Sequence, residues 1–169
     1  MPELKLIAER EQGQDKVYEL IKQSQFFTDL DQDEMQMLAY WMKAYIATAG
    51  TMILKEGQAG NACLCIIVDG TVDIFKLSSP NDDHVKVAEI AAGASIGEMS
   101  VIDGLPLSAS AISLTDTTIL IMTRDDFHNL LKKNSNLGIK ILYRVARIIS
   151  ERLRTTTGRL ADLLATKNS

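Results

Sequence analysis

Hydrophobic and polar positions divide the chain into a helical N-terminal segment, a strand-rich middle segment and a helical C-terminal segment. In the first segment, the spacing of apolar residues predicts helix over residues 4–23, with an interruption at Gly13. A second helix is predicted over residues 32–42. Asp31, followed three residues later by Glu34, is typical of a capping box at the start of that helix.

The middle segment alternates short β-favourable runs with turn residues, which predicts strands. The predicted strands span residues 45–48, 51–54, 63–68, 71–77, 85–90, 109–113 and 118–122. The dipeptide Asp69-Gly70 predicts a hairpin between two of them, and the polar stretch 78–83 predicts an exposed loop at a hairpin tip. Many short strands with glycine-rich turns are typical of a sandwich, barrel or jelly roll.

Two helices are predicted in the C-terminal segment, a short one over residues 125–133 and a long one over residues 137–165. Apolar positions along the long helix alternate steps of three and four residues, which is the heptad pattern of a coiled-coil seam. The seam consists of Ile139, Leu142, Ala146, Ile149, Leu153, Thr156, Leu160 and Leu163. We therefore expect a homodimer joined through residues 139–163. The alternative is that this stripe packs on the strands of its own chain.

Length and charge narrow the classes of function. With 169 residues, the chain is long enough for one domain with a proper core. Its net charge of −4 argues against a general nucleic-acid binder, which usually has a basic surface. No apolar run reaches the length of a membrane span, and the N-terminus lacks the pattern of a secretory signal. We expect a cytoplasmic protein without a membrane association.

Candidate catalytic and metal-binding residues are sparse. Cys63 and Cys65 lie on one face of a predicted strand, where they form a poor disulfide pair and are expected to be buried. A metal site there needs further ligands, and the two histidines, His84 and His128, are far apart in the sequence. No spacing suggests a Ser-His-Asp or Cys-His arrangement. We therefore expect neither a metal site nor enzymatic activity.

The most informative stretch is GASIGEMSVIDGLPLSAS at residues 93–110. It predicts a glycine turn that leads into a short helix, which Gly104 and Pro106 end. A helix N-terminus after Gly97 presents free backbone N–H groups and a positive dipole end, which suit a phosphate. Glu98 at this start can accept hydrogen bonds from hydroxyl groups, as from a ribose. The plainer alternative is ordinary helix-start chemistry.

This stretch resembles the phosphate-binding cassette of cyclic nucleotide-binding domains, which are found in catabolite-activator-type (Crp–Fnr-like) regulators, kinase regulatory subunits and some ion channels. The residues that carry the resemblance are Gly97, Glu98, Met99, Ser100, Val101, Ile102, Gly104, Pro106, Ser108 and Ala109. Residues 54–60 (LKEGQAG), 65–72 (CIIVDGTV) and 120–127 (LIMTRDDF) resemble further landmarks of that family. The resemblance implies a mainly β fold with flanking helices (α+β): a double-stranded β-helix jelly-roll barrel, N-terminal helices and a long C-terminal dimerisation helix.

In that family the cassette binds a cyclic phosphate, so the resemblance implies a cyclic nucleotide, cAMP or cGMP, as the candidate ligand. The implied ligand-binding residues are Ile96, Gly97, Glu98, Met99, Leu107, Ser108, Ala109, Thr156 and Thr157. Glu98 would take the ribose hydroxyl, and Ser108 would donate to the phosphate. Thr156 and Thr157 would face the purine, often across the dimer. The alternative for these two threonines is a solvated helix surface without a role.

One position departs from the family pattern. An arginine normally follows the cassette proline and pairs with the phosphate as a planar two-pronged donor, whereas this chain has Leu107 there. Loss of a buried charge pair typically costs about 2–5 kcal/mol, or roughly 30-fold to several-thousand-fold in affinity. The long helix carries six basic residues against Glu151: Lys140, Arg144, Arg147, Arg152, Arg154 and Arg159. We expect most of them on a solvated face, with the alternative that one reaches an anion from the side.

Two functions fit these observations. The first is a non-enzymatic regulatory module that senses a nucleotide or similar small anion and signals to a protein partner through its C-terminal helix. The alternative is a ligand-free protein–protein interaction module that has lost cyclic-nucleotide binding through Leu107. Because the chain has no helix-turn-helix segment after the long helix, we expect no direct DNA binding. We divide it into an N-terminal helical segment (1–43), a β barrel (44–123) and C-terminal helices (124–169).

Overall fold

A computed structural model gives the structure of residues 4–9, 13–60, 62–78 and 83–167. The helices are α1 (Gln14–Gln23), α2 (Gln32–Ala39), α3 (Glu98–Asp103), α4 (Arg124–Lys133) and α5 (Ser135–Lys167), with a 3-10 turn at Gln25–Phe27. The strands are β1 (Leu4–Ala8), β2 (Lys43–Ala47), β3 (Met52–Leu54), β4 (Cys63–Asp69), β5 (Thr71–Ser78), β6 (Asp83–Ala91), β7 (Ser95–Ile96), β8 (Ser110–Ser113) and β9 (Thr117–Thr123).

Within the described residues the strands form two sheets, one in the order β1-β2-β9-β4-β7 and the other in the order β3-β8-β5-β6. The prediction of an α+β fold with a strand-rich middle segment is confirmed. The two sheets do not join into a closed barrel, so the jelly-roll arrangement stays a prediction. The hairpin tip predicted at 78–83 is flanked by the pair Ser78 and Asp83, and its residues 79–82 lie outside the described residues.

The first described residues form a strand, so the helix predicted from residue 4 is wrong. Strand β1 pairs antiparallel with β2, and Leu4 lies opposite Ala47. Without β1, the backbone N–H and C=O groups at one edge of β2 would be unpaired. The hydrogen bonds that β1 makes to them outweigh the weak helix preference of residues 4–8. Strand β7 was missed as well, because two residues are too short to show a period.

The Asp69-Gly70 turn does not form the predicted hairpin. Strands β4 and β5 follow each other in the chain but belong to different sheets. Strand β4 already pairs with β9 on one side and β7 on the other, so it has no free edge for β5. Gly70, at φ 92°, turns the chain from one sheet to the other. A Cβ atom there would lie less than 3.0 Å from the carbonyl oxygen of Asp116.

The first sheet is covered on both faces, which produces two apolar cores. Leu64 and Ile66 of β4 point into the core shared with the helices, and Cys63 and Cys65 point into the core between the two sheets. The prediction that the two cysteines share a face and are buried is confirmed, and both are free thiols. Burial raises the pKa of the Cys63 thiol to about 11. None of the helices in the described part of the chain is long and apolar enough to cross a membrane.

The helices begin largely where the sequence predicts. The capping box at the start of α2 is present, with the Glu34 N–H donating to Asp31 Oδ1 at 2.8 Å. Helix α2 ends at Ala39, three residues before the predicted end. Helix α5 packs on its own chain through a stripe that contains Leu137, Ile141 and Val145, which is not the predicted seam.

The predicted seam of α5 is largely uncovered in a single chain. Leu153 and Leu160 are 66% and 54% exposed, and every side chain from Glu151 to Thr166 is exposed. The alternative in which the seam packs on the strands of its own chain is therefore wrong for this half of the helix.

Candidate functional site

The cassette, residues 93–110, is anchored to β4 at its start. Strand β7 pairs with β4, so that Ile96 lies opposite Cys65. The chain then turns at Gly97, whose φ of 78° is a left-handed conformation that glycine adopts without strain. A Cβ atom at Gly97 would lie less than 3.0 Å from the carbonyl oxygen of Cys63. Glycine at this position therefore allows the start of α3 to approach the backbone of β4.

Glu98, the first residue of α3, is the central charged group of the site. Its side chain is buried, and Oε1 accepts a hydrogen bond from Nη1 of Arg152 on α5. Nη2 of Arg152 donates to the Ser95 carbonyl oxygen at 2.6 Å. The other carboxylate oxygen, Oε2, is buried and has no hydrogen-bond partner among the described residues. One arginine thus joins the long helix to both sides of the Gly97 turn.

Burial raises the pKa of Glu98, and the nearby Arg152 guanidinium partly offsets this by lowering it. A buried carboxylate with one unsatisfied oxygen carries a desolvation penalty that a further hydrogen-bond donor would reduce. Among the described residues, Oε2 is therefore an acceptor that remains to be satisfied.

Leu107, which stands where the resemblance expects an arginine, is only 4% exposed. It packs in the core between the two sheets, which also contains Leu54 and Ile96. Its backbone is held as well, because the Gly57 N–H donates to the Leu107 carbonyl oxygen at 2.8 Å. The side chain at this position is therefore part of the apolar core and presents no charge to a ligand.

Of the other predicted cassette residues, Met99 and Ser108 meet at the outer surface. The Ser108 hydroxyl lies 3.7 Å from the Met99 sulfur, and Met99 is 51% exposed. Lys76 of β5 donates to the Ser108 carbonyl oxygen and forms an ion pair with Glu56 at 2.6 Å. Ile96 is buried between the sheets, and Ala109 is half-buried. The structure thus brings residues 96–99 and 107–109 together.

Thr156 and Thr157 lie apart from this group in a single chain. Both are exposed on α5, and the Thr157 hydroxyl donates to the Leu153 carbonyl oxygen of its own helix at 2.8 Å. Among the described residues, no hydrogen bond joins either threonine to the cassette. Their predicted role at a purine stays a prediction.

Two arginines make contacts at the cassette that the sequence did not predict. Arg152 was one of six basic residues expected mostly on a solvated face, and only the fold shows that it reaches Glu98. Arg124 packs its guanidinium against Gly104, the residue that ends α3, since a Cβ atom there would lie less than 3.0 Å from Arg124 Cζ. Arg124 also lines a largely apolar cavity of about 600 Å³ at the end of the space between the sheets.

Comparisons with known proteins agree with this geometry. The family model described as "Cyclic nucleotide-binding domain" matches residues 47–134. The "Cyclic AMP receptor protein" of Thermus thermophilus is 28% identical over 145 residues, which are 86% of this chain and 64% of that protein. A "cAMP-dependent protein kinase regulatory subunit" of Blastocladiella emersonii is 24% identical over 65% of this chain and 27% of its own length.

Solved structures extend the likeness to almost the whole chain. A crystal structure of a cyclic nucleotide-binding domain from Methylobacillus flagellatus has a TM-score of 0.77 and 31% identity, covering 92% of this chain and 86% of that one. The Thermus thermophilus catabolite activator protein has a TM-score of 0.70 and 27% identity, covering 84% of this chain and 63% of that one. This chain spans less than two thirds of the curated relatives described above. With its fold and its cassette in place, the chain belongs to the cyclic nucleotide-binding domain family, and its relatives include Crp-like regulators.

Proposed function

We propose that this protein is a non-enzymatic regulatory module that senses a nucleotide or similar small anion at the cassette and signals through α5. The observation that carries the proposal is the arrangement at Glu98. One carboxylate oxygen accepts from Arg152 of α5, and the other is buried without a partner. A ligand hydroxyl that donates to Oε2 would compete with Arg152 for the negative charge of this carboxylate, and Arg152 is the residue that joins the carboxylate to the long helix.

The link from ligand to helix is short. Arg152 also donates to the Ser95 carbonyl oxygen. A movement of the Gly97 turn therefore displaces an acceptor of the same guanidinium. Beyond Arg152, the side chains of α5 are exposed as far as Thr166. A ligand that strengthens or weakens the Arg152 contacts therefore shifts how this half of the helix is held. The size of this shift depends on the difference between the ligand's affinities for the two positions of the helix.

The ligand class we propose is a cyclic nucleotide, cAMP or cGMP. Support comes from family membership and from relatives whose names refer to cyclic AMP. The proposed contacts are the backbone of residues 96–99, the Glu98 carboxylate for a ribose hydroxyl and Ser108 for the phosphate. Because Leu107 supplies no positive charge, we expect weaker binding than an arginine at this position gives, by about 30-fold or more.

Replacing Leu107 tests this directly. In Leu107→Arg the guanidinium has to leave the apolar core in order to reach a phosphate. A folded variant is expected to bind cyclic AMP at least about tenfold more tightly, because the guanidinium then makes the two-pronged contact. Calorimetric titration of the full chain with cyclic AMP, cyclic GMP and cyclic di-GMP measures this, with thermal unfolding as the check that the variant folds. The matched control is Leu105→Arg, which adds the same group at a leucine that is 63% exposed.

The alternative is a ligand-free interaction module, and the burial of Leu107 in the apolar core favours it. In that case, neither the wild-type protein nor a folded Leu107→Arg variant gives heat or a thermal shift with any of the three nucleotides. Binding by the wild-type protein that Glu98→Gln weakens supports the sensor instead.

We also propose that the chain forms a homodimer through residues 139–163, with α5 as its dimerisation helix. The exposed apolar positions of α5 support this, since Leu153, Leu160 and Leu163 follow the heptad and are each more than half exposed. In a parallel pair of helices, Thr156 and Thr157 of one protomer would lie near the partner's cassette.

Two open sheets that share a core are also compatible with the jelly-roll arrangement.

Leu153→Asp is expected to give monomers, because two facing carboxylates in an apolar seam are costly to bury. Analytical ultracentrifugation of the full chain at several concentrations measures this. Thr155→Asp adds the same charge on another side of the helix and is expected to leave the dimer intact. A Leu153→Asp protein that sediments like the wild-type protein would contradict the proposed seam.

The output is proposed to be a protein partner, with no direct contact to DNA by this chain. We propose that the segments on either side of residue 123 have different functions. Residues 44–123 bind the ligand, and residues 124–169 transmit the signal. Two free, buried cysteines are compatible with the reducing cytoplasm as the location.

A further inference from the structure

A cleft of about 290 Å³ lies between α5 and the turn that leads into β7. One wall is the backbone of residues 93–95, and the other is a stripe of α5 that includes Arg144, Arg147, Glu151 and Arg152. This cleft is separate from the space between the sheets, because β7 and the start of the cassette lie between the two. Its size is that of a phosphoryl group or a small polyphosphate rather than of a protein segment.

The charge in this cleft is positive. Three guanidinium groups line it, and they are opposed by the carboxylate of Glu151 in the cleft and by that of Glu98, which pairs with Arg152. Arg147 donates to Glu151 at 2.9 Å, and both side chains are more than 60% exposed, so this pair is weak and easily exchanged. Arg144 lies 5.2 Å from the Phe26 ring centre and donates to the Gln25 carbonyl oxygen at 3.3 Å, which fixes its position.

Two buried polar atoms in the wall of the cleft have no partner among the described residues. They are the Ser95 hydroxyl oxygen and Nε of Arg144. Ser95 is fully buried, and its backbone pairs with β4, so its side chain faces α5 and away from the space between the sheets. Buried groups of this kind are normally satisfied by water or by a ligand. Both belong to residues that line the cleft.

We propose that this cleft is a second binding site, for a multiply charged phosphoryl anion such as a diphosphate or nucleotide polyphosphate. Arg147 supplies a forked donor that matches phosphate oxygens two at a time, and Arg152 supplies a second one when an anion displaces Glu98 from it. From Arg144 to Arg152 the helix rises about 12 Å, so the three guanidinium groups span more than one phosphate. A diphosphate engages more of them than a single phosphate does.

Arg152 is shared between this cleft and the cassette, which gives the site a regulatory consequence that rests on the proposed function above. The guanidinium donates to Glu98 and to the Ser95 carbonyl oxygen, and Arg152 also lines the cleft. An anion in the cleft competes with Glu98 for it. The two sites are then coupled through one side chain, and anion binding loosens the hold of the cassette on α5.

The cleft stays open in the proposed dimer. Successive residues of a helix are about 100° apart, so Arg147 lies about 160° around the axis from the seam residue Ile149. Arg144, Arg147 and Glu151 therefore lie on the side of α5 away from the seam, whereas Arg152, about 60° around the axis from Ile149, flanks the seam. A second protomer does not have to leave for an anion to enter.

Calorimetric titration of the full chain with inorganic pyrophosphate at low ionic strength tests the site, since salt weakens exposed charge contacts. We expect one pyrophosphate per chain and weaker binding of inorganic phosphate. Arg147→Gln should weaken pyrophosphate binding about tenfold, because a charge-assisted contact is lost. Arg154→Gln makes the same charge change at an exposed position outside the cleft and should alter affinity by less than about twofold. No binding of pyrophosphate, or equal weakening by Arg147→Gln and Arg154→Gln, would overturn the site.

The shared role of Arg152 has its own readout. Glu98→Gln removes the carboxylate that competes for Arg152, so pyrophosphate should bind this variant more tightly than the wild-type protein. A general loss of structure would instead weaken pyrophosphate binding. Unchanged or weaker binding by a folded Glu98→Gln protein would overturn the competition and leave the anion site standing. No cyclic nucleotide is used in either titration, so a failure of the proposed ligand at the cassette cannot be mistaken for a failure here.

Discussion

Gly97→Ala is expected to lower the free energy of unfolding by about 2–5 kcal/mol, from left-handed strain plus overpacking. The φ of 78° at Gly97 is strained for any residue with a Cβ atom, and that atom would overlap the Cys63 carbonyl oxygen. The backbone of β4 cannot move away, because Cys63 pairs with Thr123 of β9. Urea denaturation of the full chain, followed by circular dichroism, measures the loss.

Gly57→Ala separates the two causes. Gly57 has a similar φ of 74°, but a Cβ atom there meets nothing within 4 Å. This variant is therefore expected to lose only about 1–2 kcal/mol, the cost of the left-handed backbone. Equal losses in the two variants would mean that the close approach of the cassette to β4 contributes nothing to stability.

Arg152→Met is expected to lower the free energy of unfolding at pH 7.5 by about 1–3 kcal/mol, because it leaves the Glu98 carboxylate buried without its counter-charge. Breaking a fully buried pair costs about 3–5 kcal/mol, and the smaller figure allows for the 43% exposure of the Arg152 side chain. Thermal and urea unfolding measure the loss. Arg147→Met breaks an exposed ion pair on the same helix and is expected to leave the unfolding midpoint unchanged.

The pH dependence of this loss identifies the buried charge as its cause. Burial already raises the pKa of Glu98 above its usual value near 4.5, and removal of Arg152 takes away the largest influence that lowers it. A carboxyl group with a raised folded pKa contributes stability that is complete below its unfolded pKa and is lost as pH rises through its folded pKa. The deficit of Arg152→Met should therefore be full at neutral pH and shrink as pH falls towards about 4.5.

Adding Glu98→Gln to Arg152→Met is expected to restore most of the lost stability, since no buried charge then remains. A deficit that is the same at every pH, or one that Glu98→Gln does not reduce, would indicate lost packing of the arginine side chain instead.

The elements of the fold were predictable where local pattern and tertiary structure agree. The capping box of α2 and the apolar run of β4 are local patterns that match the structure. The errors come from interactions that act between segments. Strand β1 is a strand because β2 offers an unpaired edge, and Asp69-Gly70 joins two sheets because β4 has partners on both sides.

The same division holds at the candidate site. Gly97, Glu98 and Ser108 stand at spacings that a sequence can show, and so does the absence of arginine at Leu107. Arg152 is 54 residues from Glu98 in the chain, and no local pattern distinguishes it from the other arginines of α5. Its role depends on how α5 packs against the rest of the chain, where Leu137, Ile141 and Val145 are buried.

By itself, then, the sequence determined the family, the order of most elements and the cassette, because glycine positions and apolar periods are local constraints on the backbone. Only the tertiary structure decided which strands share a sheet, that Leu107 lies in the apolar core, and that Glu98 is held by α5 while one of its oxygens stays unsatisfied. Those outcomes depend on contacts between residues far apart in the chain, and burial and pairing settle such contacts only when the whole domain has folded.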